Sequence, residues 1–305
     1  MSTVRTSPSP AAGVQAALAR PLARRPGGRQ NWQEPTLGRK TLIYGALVLF
    51  AFPMVIPLVW MVTNSLQTNI SSSVWGAGES LAWENYPKAM ETMKFSNAMA
   101  NTIVITAGCM LGQIISCSMV GYGFARFRFR GKNILFMIML STMMLPAQVT
   151  MIPIFILFRS VGWVDSFLPL IIPAWFASPF FVFMFRQFFS QIPEEILEAA
   201  RIDGAGNLRI YWQIMLPLSG PVIAIVAIYT FMGTWNDLMG PLIYLNSPEN
   251  YTLAIALNSF KGQYGTSNAT QLLAGSMMTM LPCVLLFFAA QRYFVQSVTA
   301  SAVKG

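Results

Sequence analysis

The chain has 305 residues, of which 54% are hydrophobic and only 10% charged. Soluble domains carry about a quarter charged residues, so this balance points to a lipid solvent rather than an aqueous one. Histidine is absent, which removes imidazole as a general base or metal ligand, and the formal charge of +9 has to be explained by where the charges lie.

Residues 1–38 are rich in Ala, Pro, Arg and Gly, show no apolar period, and are expected to form a disordered tail. A span needs roughly 20 apolar residues to cross about 30 Å of hydrocarbon. Six stretches meet that length: Thr41–Val62, Ala98–Ala125, Ile134–Phe158, Phe167–Phe185, Pro221–Leu245 and Leu272–Ala290. Pro169, Pro173 and Pro179 interrupt the fourth, which a bundle tolerates when neighbours satisfy the freed carbonyls. No A-x-A site closely follows the first stretch, so it is expected to stay as an anchor. The expected fold is all-α: a polytopic membrane domain over 39–305 with six transmembrane helices.

Sixteen of the twenty Lys and Arg residues fall on one side of this arrangement, including Arg126, Arg128, Arg130 and Lys132 between the second and third stretches. Only Lys88, Lys94, Arg159 and Lys261 fall on the other. Basic residues stay cytoplasmic during insertion, so both termini and the loop over 187–220 are expected in the cytoplasm. The basicity is a topology signal and not a nucleic-acid footprint.

On the outer side, the segment between the first two stretches carries Trp75, Trp83 and Tyr86, aromatics of the kind that sit at a membrane interface. Asn246–Thr270 forms a second outer loop with Pro248, Gly262 and Gly265. These loops are too short for an outer domain, so an outer ligand receptor has to be a separate protein. Cys109, Cys117 and Cys283 all fall inside spans and are expected to be small buried apolar residues. No metal site is expected.

The loop over 187–220 has its own pattern. Pro193 suits the first position of a helix, and Glu194 and Glu195 suit the positive end of its dipole. Gly204 suits the left-handed turn that ends it, and Asn207 can cap a second helix. That second helix carries an apolar stripe, Leu208, Tyr211, Trp212 and Met215, expected to pack under the spans until Pro217 stops it. The whole reads E-A-A-x3-G-x9-I-x-L-P from Glu198 to Pro217. An amphipathic surface hairpin with no partner is the alternative reading.

These residues, Glu198-Ala199-Ala200, Asp203-Gly204-Ala205, Ile214 and Leu216-Pro217, resemble the cytoplasmic loop of binding-protein-dependent ABC importer permeases. Trp83-Glu84-Asn85-Tyr86, Asn101-Thr102, the run Gly121 to Arg126, and Trp235-Asn236-Asp237 resemble the carbohydrate-uptake branch, in particular its smaller maltose-type permease subunit. The end of the chain, Gln291 to Val295 and Val303-Lys304-Gly305, is also similar. The resemblance implies that Glu198, Ala199, Ala200, Asp203, Gly204 and Ala205 dock in a groove of a cytoplasmic ABC ATPase dimer. It implies a paralogous second permease, an extracytoplasmic solute-binding protein, and a bacterial or archaeal cytoplasmic (inner) membrane location. ATP is used by the partner: the chain has no G-x4-G-K-[ST], since Gly131-Lys132 is preceded by Arg126 where that motif needs glycine. No cofactor is expected on this chain, and no enzymatic activity.

Within the spans, Asp237 is the sharpest candidate for a solute path, because an ionised residue there usually faces a cavity or a partner. Trp235 and Asn236 can add ring stacking and hydrogen bonds to a sugar hydroxyl. Equally, Asn236 and Asp237 can serve a helix break before Gly240-Pro241. Gln148 and Asn101 are further path candidates, or interhelical glue. Tyr251, Asn258, Lys261, Gln263 and Tyr264 are candidates for contact with a binding protein, unless Asn246–Thr270 is an ordinary mobile loop. An ion-coupled secondary transporter would want several intramembrane carboxylates, and Asp237 is nearly alone. A passive channel would not explain the Glu198 loop.

Overall fold

In hydrocarbon every backbone N–H and C=O must be satisfied within the chain, and helices do this segment by segment. The computed structural model describes residues 37–71, 81–263 and 269–302, and among them regular structure is helical throughout. The chain divides into two units, Met1–Met54 and Val55–Gly305. The described part of the first is the opening of α1 (Leu37–Ser65), an unbroken apolar helix that carries Pro53 and continues into the second unit.

In the second unit, α2 (Asn85–Thr92) precedes the long α3 (Phe95–Arg126). α4 (Lys132–Ser141) and α5 (Ala147–Ser160) follow. α6 (Leu168–Ile171) runs through a 3-10 turn, Ile172–Phe176, into α7 (Pro179–Ser190). α8 (Glu194–Ile202) and α9 (Asn207–Leu218) form a hairpin, which leads into α10 (Gly220–Trp235) and α11 (Met239–Tyr244). α12 (Leu253–Gln263) and α13 (Ala269–Ala302) complete the described order.

Among the described residues four helices are long and apolar enough to cross a membrane, and up to six do so if each of two bent pairs makes one span. The expected third span is therefore not straight. It breaks between Lys132–Met144 and Ala147–Ser160 with a bend of 97°. The cause is local: Leu145 precedes Pro146 and is forced out of helical geometry to ψ 119°. The prolines of the fourth stretch act differently. They stand at the first turns of short segments, where a missing N–H costs little, and Leu168–Ser190 still qualifies as a span. The fifth stretch is helical only to Trp235 and resumes at Met239.

α3 is the centre of the bundle. It packs against α7, α10, the 3-10 turn, α12 and α2 along its length. It approaches α7 closely at Gly121, where an added Cβ would lie 2.6 Å from the Phe185 Cβ and 3.1 Å from the Arg186 amide nitrogen. One buried cluster surrounds this contact, with Tyr122, Phe185, Phe189, Leu197, Tyr211 and Met215 at its heart. A second gathers α2, α12 and α13 around Met93, Trp235, Leu253 and Phe260 at the opposite end of α3.

The Asn246–Thr270 loop holds more structure than its composition indicated. α12 lies inside it and buries Leu253, Ile255, Ala256 and Phe260, so this part is a packed element and not an ordinary mobile loop.

Candidate functional site

The α8–α9 hairpin owes its shape to backbone hydrogen bonds. Ala205 N–H donates to Ala200 O at 2.9 Å and Gly204 N–H to Arg201 O at 3.0 Å. This is a 6→1 bond with a 5→2 bond, the Schellman stop, and it puts its left-handed residue at Gly204, whose φ is +80°. The spacing of Ala200, Gly204 and Ala205 in the sequence motif is the spacing of that stop. Ala200 and Ala205 both pack against the core cluster. Leu197 is fully buried beside them.

The outward side of the hairpin is mixed. Glu198, Ala199 and Asp203 are exposed, and so are Ile196, Ile202 and Leu208, with Ile202 at 87% exposure. Three details differ from the sequence expectation. Pro193 stands just before the first helical residue, not on it, and Glu194 and Glu195 occupy the first turn. Asn207 begins α9 without capping it; Gly206 takes that place. The apolar stripe of α9 splits: Tyr211 and Met215 are buried while Leu208 and Trp212 are exposed. Over Tyr211–Met215 the helix widens to a π-turn, which rotates the 3.6-residue register and brings Ile210 inward instead.

Sequence reasoning placed Glu194 at the start of α8 but missed the pairing by which it anchors the hairpin. Glu194 accepts from Arg126 of α3 at 2.7 Å and from Arg201 at 2.9 Å. Arg126 also donates to the Phe189 and Ile192 carbonyls, and its side chain is only 9% exposed. The Arg201 hydrogen bond is the main cause holding the Glu194 carboxyl below its ordinary range; the Arg126 charge assists, against partial desolvation. Tyr211 and Ser118 share a hydroxyl hydrogen bond of 2.7 Å, a second tie from α9 to α3. Only the charge signs of Glu194 and Arg126 were visible in sequence, 68 positions apart.

At the other end of α3, Asn101 donates to the backbone carbonyls of Glu249 (2.8 Å) and Tyr251 (3.0 Å), and Asn97 to Glu249 O (2.6 Å). Asp165, also missed, grips the same segment. Its carboxylate accepts from the amides of Asn246 and Ser247, from the Ser247 hydroxyl and from Asn250 Nδ2, while its own N–H donates to Tyr244 O. The Ser247 hydroxyl and these amides hold its pKa well below the usual carboxylate range. Its φ of +63° is the left-handed region that aspartate tolerates.

The three consecutive path candidates diverge at the α10–α11 break. Trp235 is buried, stacks on Phe231 at 5.0 Å, and donates its indole N–H to Thr279 O at 3.1 Å. Asn236 donates to Met232 O and faces an open groove of about 370 Å³ with Asn258, Leu257, Leu272 and Ser276. Asp237 accepts from Gly240 N–H at 3.1 Å and lines a separate cavity of about 120 Å³. Gln148 is exposed in the first turn of α5. Tyr251 donates to Asn246 O at 3.2 Å. The side chains of Lys261 and Gln263 and the whole of Tyr264 lie outside the described residues. The three cysteines are free thiols, and Cys109 and Cys117 are buried.

Residues 117–300 match the family model described as the binding-protein-dependent transport system inner membrane component. The chain belongs to this family. The matched region contains the hairpin, the α10–α11 break and the groove. Among curated relatives of this inner membrane component, an arabinooligosaccharides transport system permease protein of Halalkalibacterium halodurans is 39% identical over 205 residues, covering 67% of this chain and 73% of the relative. A melibiose/raffinose/stachyose import permease protein of Bacillus subtilis is 33% identical over 253 residues, covering 82% and 91%. The crystal structure of a bacterial ABC transporter involved in the import of the acidic polysaccharide alginate superposes with a TM-score of 0.75 at 23% identity. It covers 85% of this chain and 99% of that one, a likeness of fold.

Proposed function

We propose that this inner membrane component is one of two paralogous permease subunits of an ATP-driven importer for a carbohydrate. In this reading the α8–α9 hairpin is cytoplasmic and docks on an ABC ATPase dimer. The 246–252 segment faces outward toward a solute-binding protein, and both termini are cytoplasmic. The basic run from Arg126 to Lys132, at the hairpin end of α3, supports that orientation. The curated relatives are named for oligosaccharide transport, which supports the solute class.

One observation carries the mechanism: a single helix, α3, is bonded at one end to the hairpin through Arg126 and at the other to the 246–252 segment through Asn97 and Asn101. Its 32 residues span about 48 Å at 1.5 Å per residue, more than the hydrocarbon thickness. Closure of an ATPase dimer beneath the hairpin would move α3 and shift the balance between inward- and outward-open states. Glu198 and Asp203 supply charge for a basic groove, and Ile196, Ile202 and Leu208 supply apolar contact. The groove beside Asn236 and Asn258 offers amides for hydroxyls over an apolar floor, and we assign it to the solute path.

The test uses the complex assembled with its binding protein. Glu198→Lys should abolish copurification of a soluble ATPase while leaving the permease folded in the membrane. Among a panel of solutes, at least one carbohydrate should stimulate ATP hydrolysis by the wild-type complex. Retained ATPase binding in Glu198→Lys would refute the docking surface. Silence to every carbohydrate would refute the solute class.

A further inference from the structure

Asp237 stands at the α10–α11 break, partly buried, and among the described residues no Lys or Arg pairs with it. A carboxylate in a membrane-spanning region needs a partner or a cavity that supplies one. The cavity of about 120 Å³ that it lines is walled by Thr102, Thr234, Thr252, Leu170, Ile105 and Pro241. Its polar groups are a carboxylate and three hydroxyls, with no cationic side chain. Thr102 Oγ1 is already engaged, donating to Ala98 O and accepting from Leu253 N–H. Thr252 is different: it is 4% exposed, its Oγ1 has no partner, and it lines the cavity. The chain break adds to this. Asp237 N–H donates to Thr234 O at 3.3 Å and not to the Gly233 carbonyl that a continuing α-helix would use. Gly233 also lines the cavity. A broken helix presenting carbonyl and hydroxyl oxygens beside one carboxylate is a familiar way to hold a small cation in a membrane protein.

We propose that this cavity binds one alkali-metal cation, with Asp237 as its counter-charge and Thr252 and Thr234 as oxygen ligands. A single carboxylate suits a monovalent ion; Ca²⁺ sites gather more oxygens and more charge. The cavity of about 120 Å³ has room for several waters, enough for a partly hydrated ion. The cation is a fixed part of the fold, bridging α3, α10 and the start of α12, and it is not transported.

The experiment measures thermal unfolding of the purified complex, without solute or nucleotide, in NaCl, KCl and choline chloride at matched ionic strength. The melting temperature should rise saturably with Na⁺ or K⁺ relative to choline. Equilibrium dialysis with ²²Na⁺ or ⁴²K⁺ should give one ion per copy of this chain. Asp237→Asn should remove both effects. If that variant does not fold, Thr252→Val serves instead and should weaken ion binding at least tenfold. Equal melting in sodium, potassium and choline would overturn the proposal. So would stabilisation that follows pH and not the alkali ion.

Discussion

Glu194 shows how a single side chain can convert a surface loop into a lever. It bonds two arginines, one on its own helix and one on α3, and the second is nearly buried. Because its folded pKa is depressed, its contribution to stability is complete above the ordinary glutamate value of about 4.3. That contribution is lost as pH falls through the lower folded value. Protection of the α8 amides, measured relative to their intrinsic exchange rates, should therefore hold from neutral pH through the ordinary glutamate range and fall only in stronger acid. Glu194→Gln should speed exchange at pH 7 and remove the acid-dependent step. Unchanged exchange in this variant would mean that the apolar cluster around Leu197 alone roots the hairpin. Gly204 is the other residue on which the hairpin turns, since its positive φ is needed by the Schellman stop.

At the scale of elements, the contact between α3 and α7 depends on the missing side chain of Gly121. Any Cβ there meets the Phe185 Cβ and nearby backbone, none of which can swing aside. Gly121→Val should therefore destabilise the pair by about 1–3 kcal/mol or more, the usual cost of overpacking. A lowered unfolding temperature of the detergent-purified complex would register it. A loss of ATPase coupling is expected as well, because the same cluster seats Leu197 and Tyr211 of the hairpin. Wild-type stability in Gly121→Val would show that the two helices separate more readily than their packing indicates.

For the molecule as a whole, α3 links two distant sets of contacts, and damage at its two ends should be separable. Asp165→Asn removes an anionic acceptor from the Asn246, Ser247 and Asn250 donors without touching the hairpin. In this variant the ATPase should still copurify, while stimulation of its hydrolysis by binding protein and solute should fall severalfold. Glu198→Lys should instead lose the ATPase altogether. If Asp165→Asn kept full stimulation, the 246–252 segment would not be the receiving end of the lever. The apolar side chains left open on α4 and α5, such as Leu135, Met137, Ile152 and Ile156, need lipid or a second permease to cover them.

Composition and hydropathy alone determined that the chain is a helical membrane protein, and Gly204 alone marked the hairpin turn. Both are local consequences of chain chemistry: apolar length must match a bilayer, and a Schellman stop is closed by residues five apart. Tertiary structure decided the rest. It put Glu194 against Arg126, divided Asn236 from Asp237 into separate cavities, folded α12 out of a polar loop, and gave Asp165 its four donors. Each of these joins residues far apart in the chain or hangs on a break in helix register. Their energies come from burial and hydrogen bonding between elements, and no local pattern records which elements will meet.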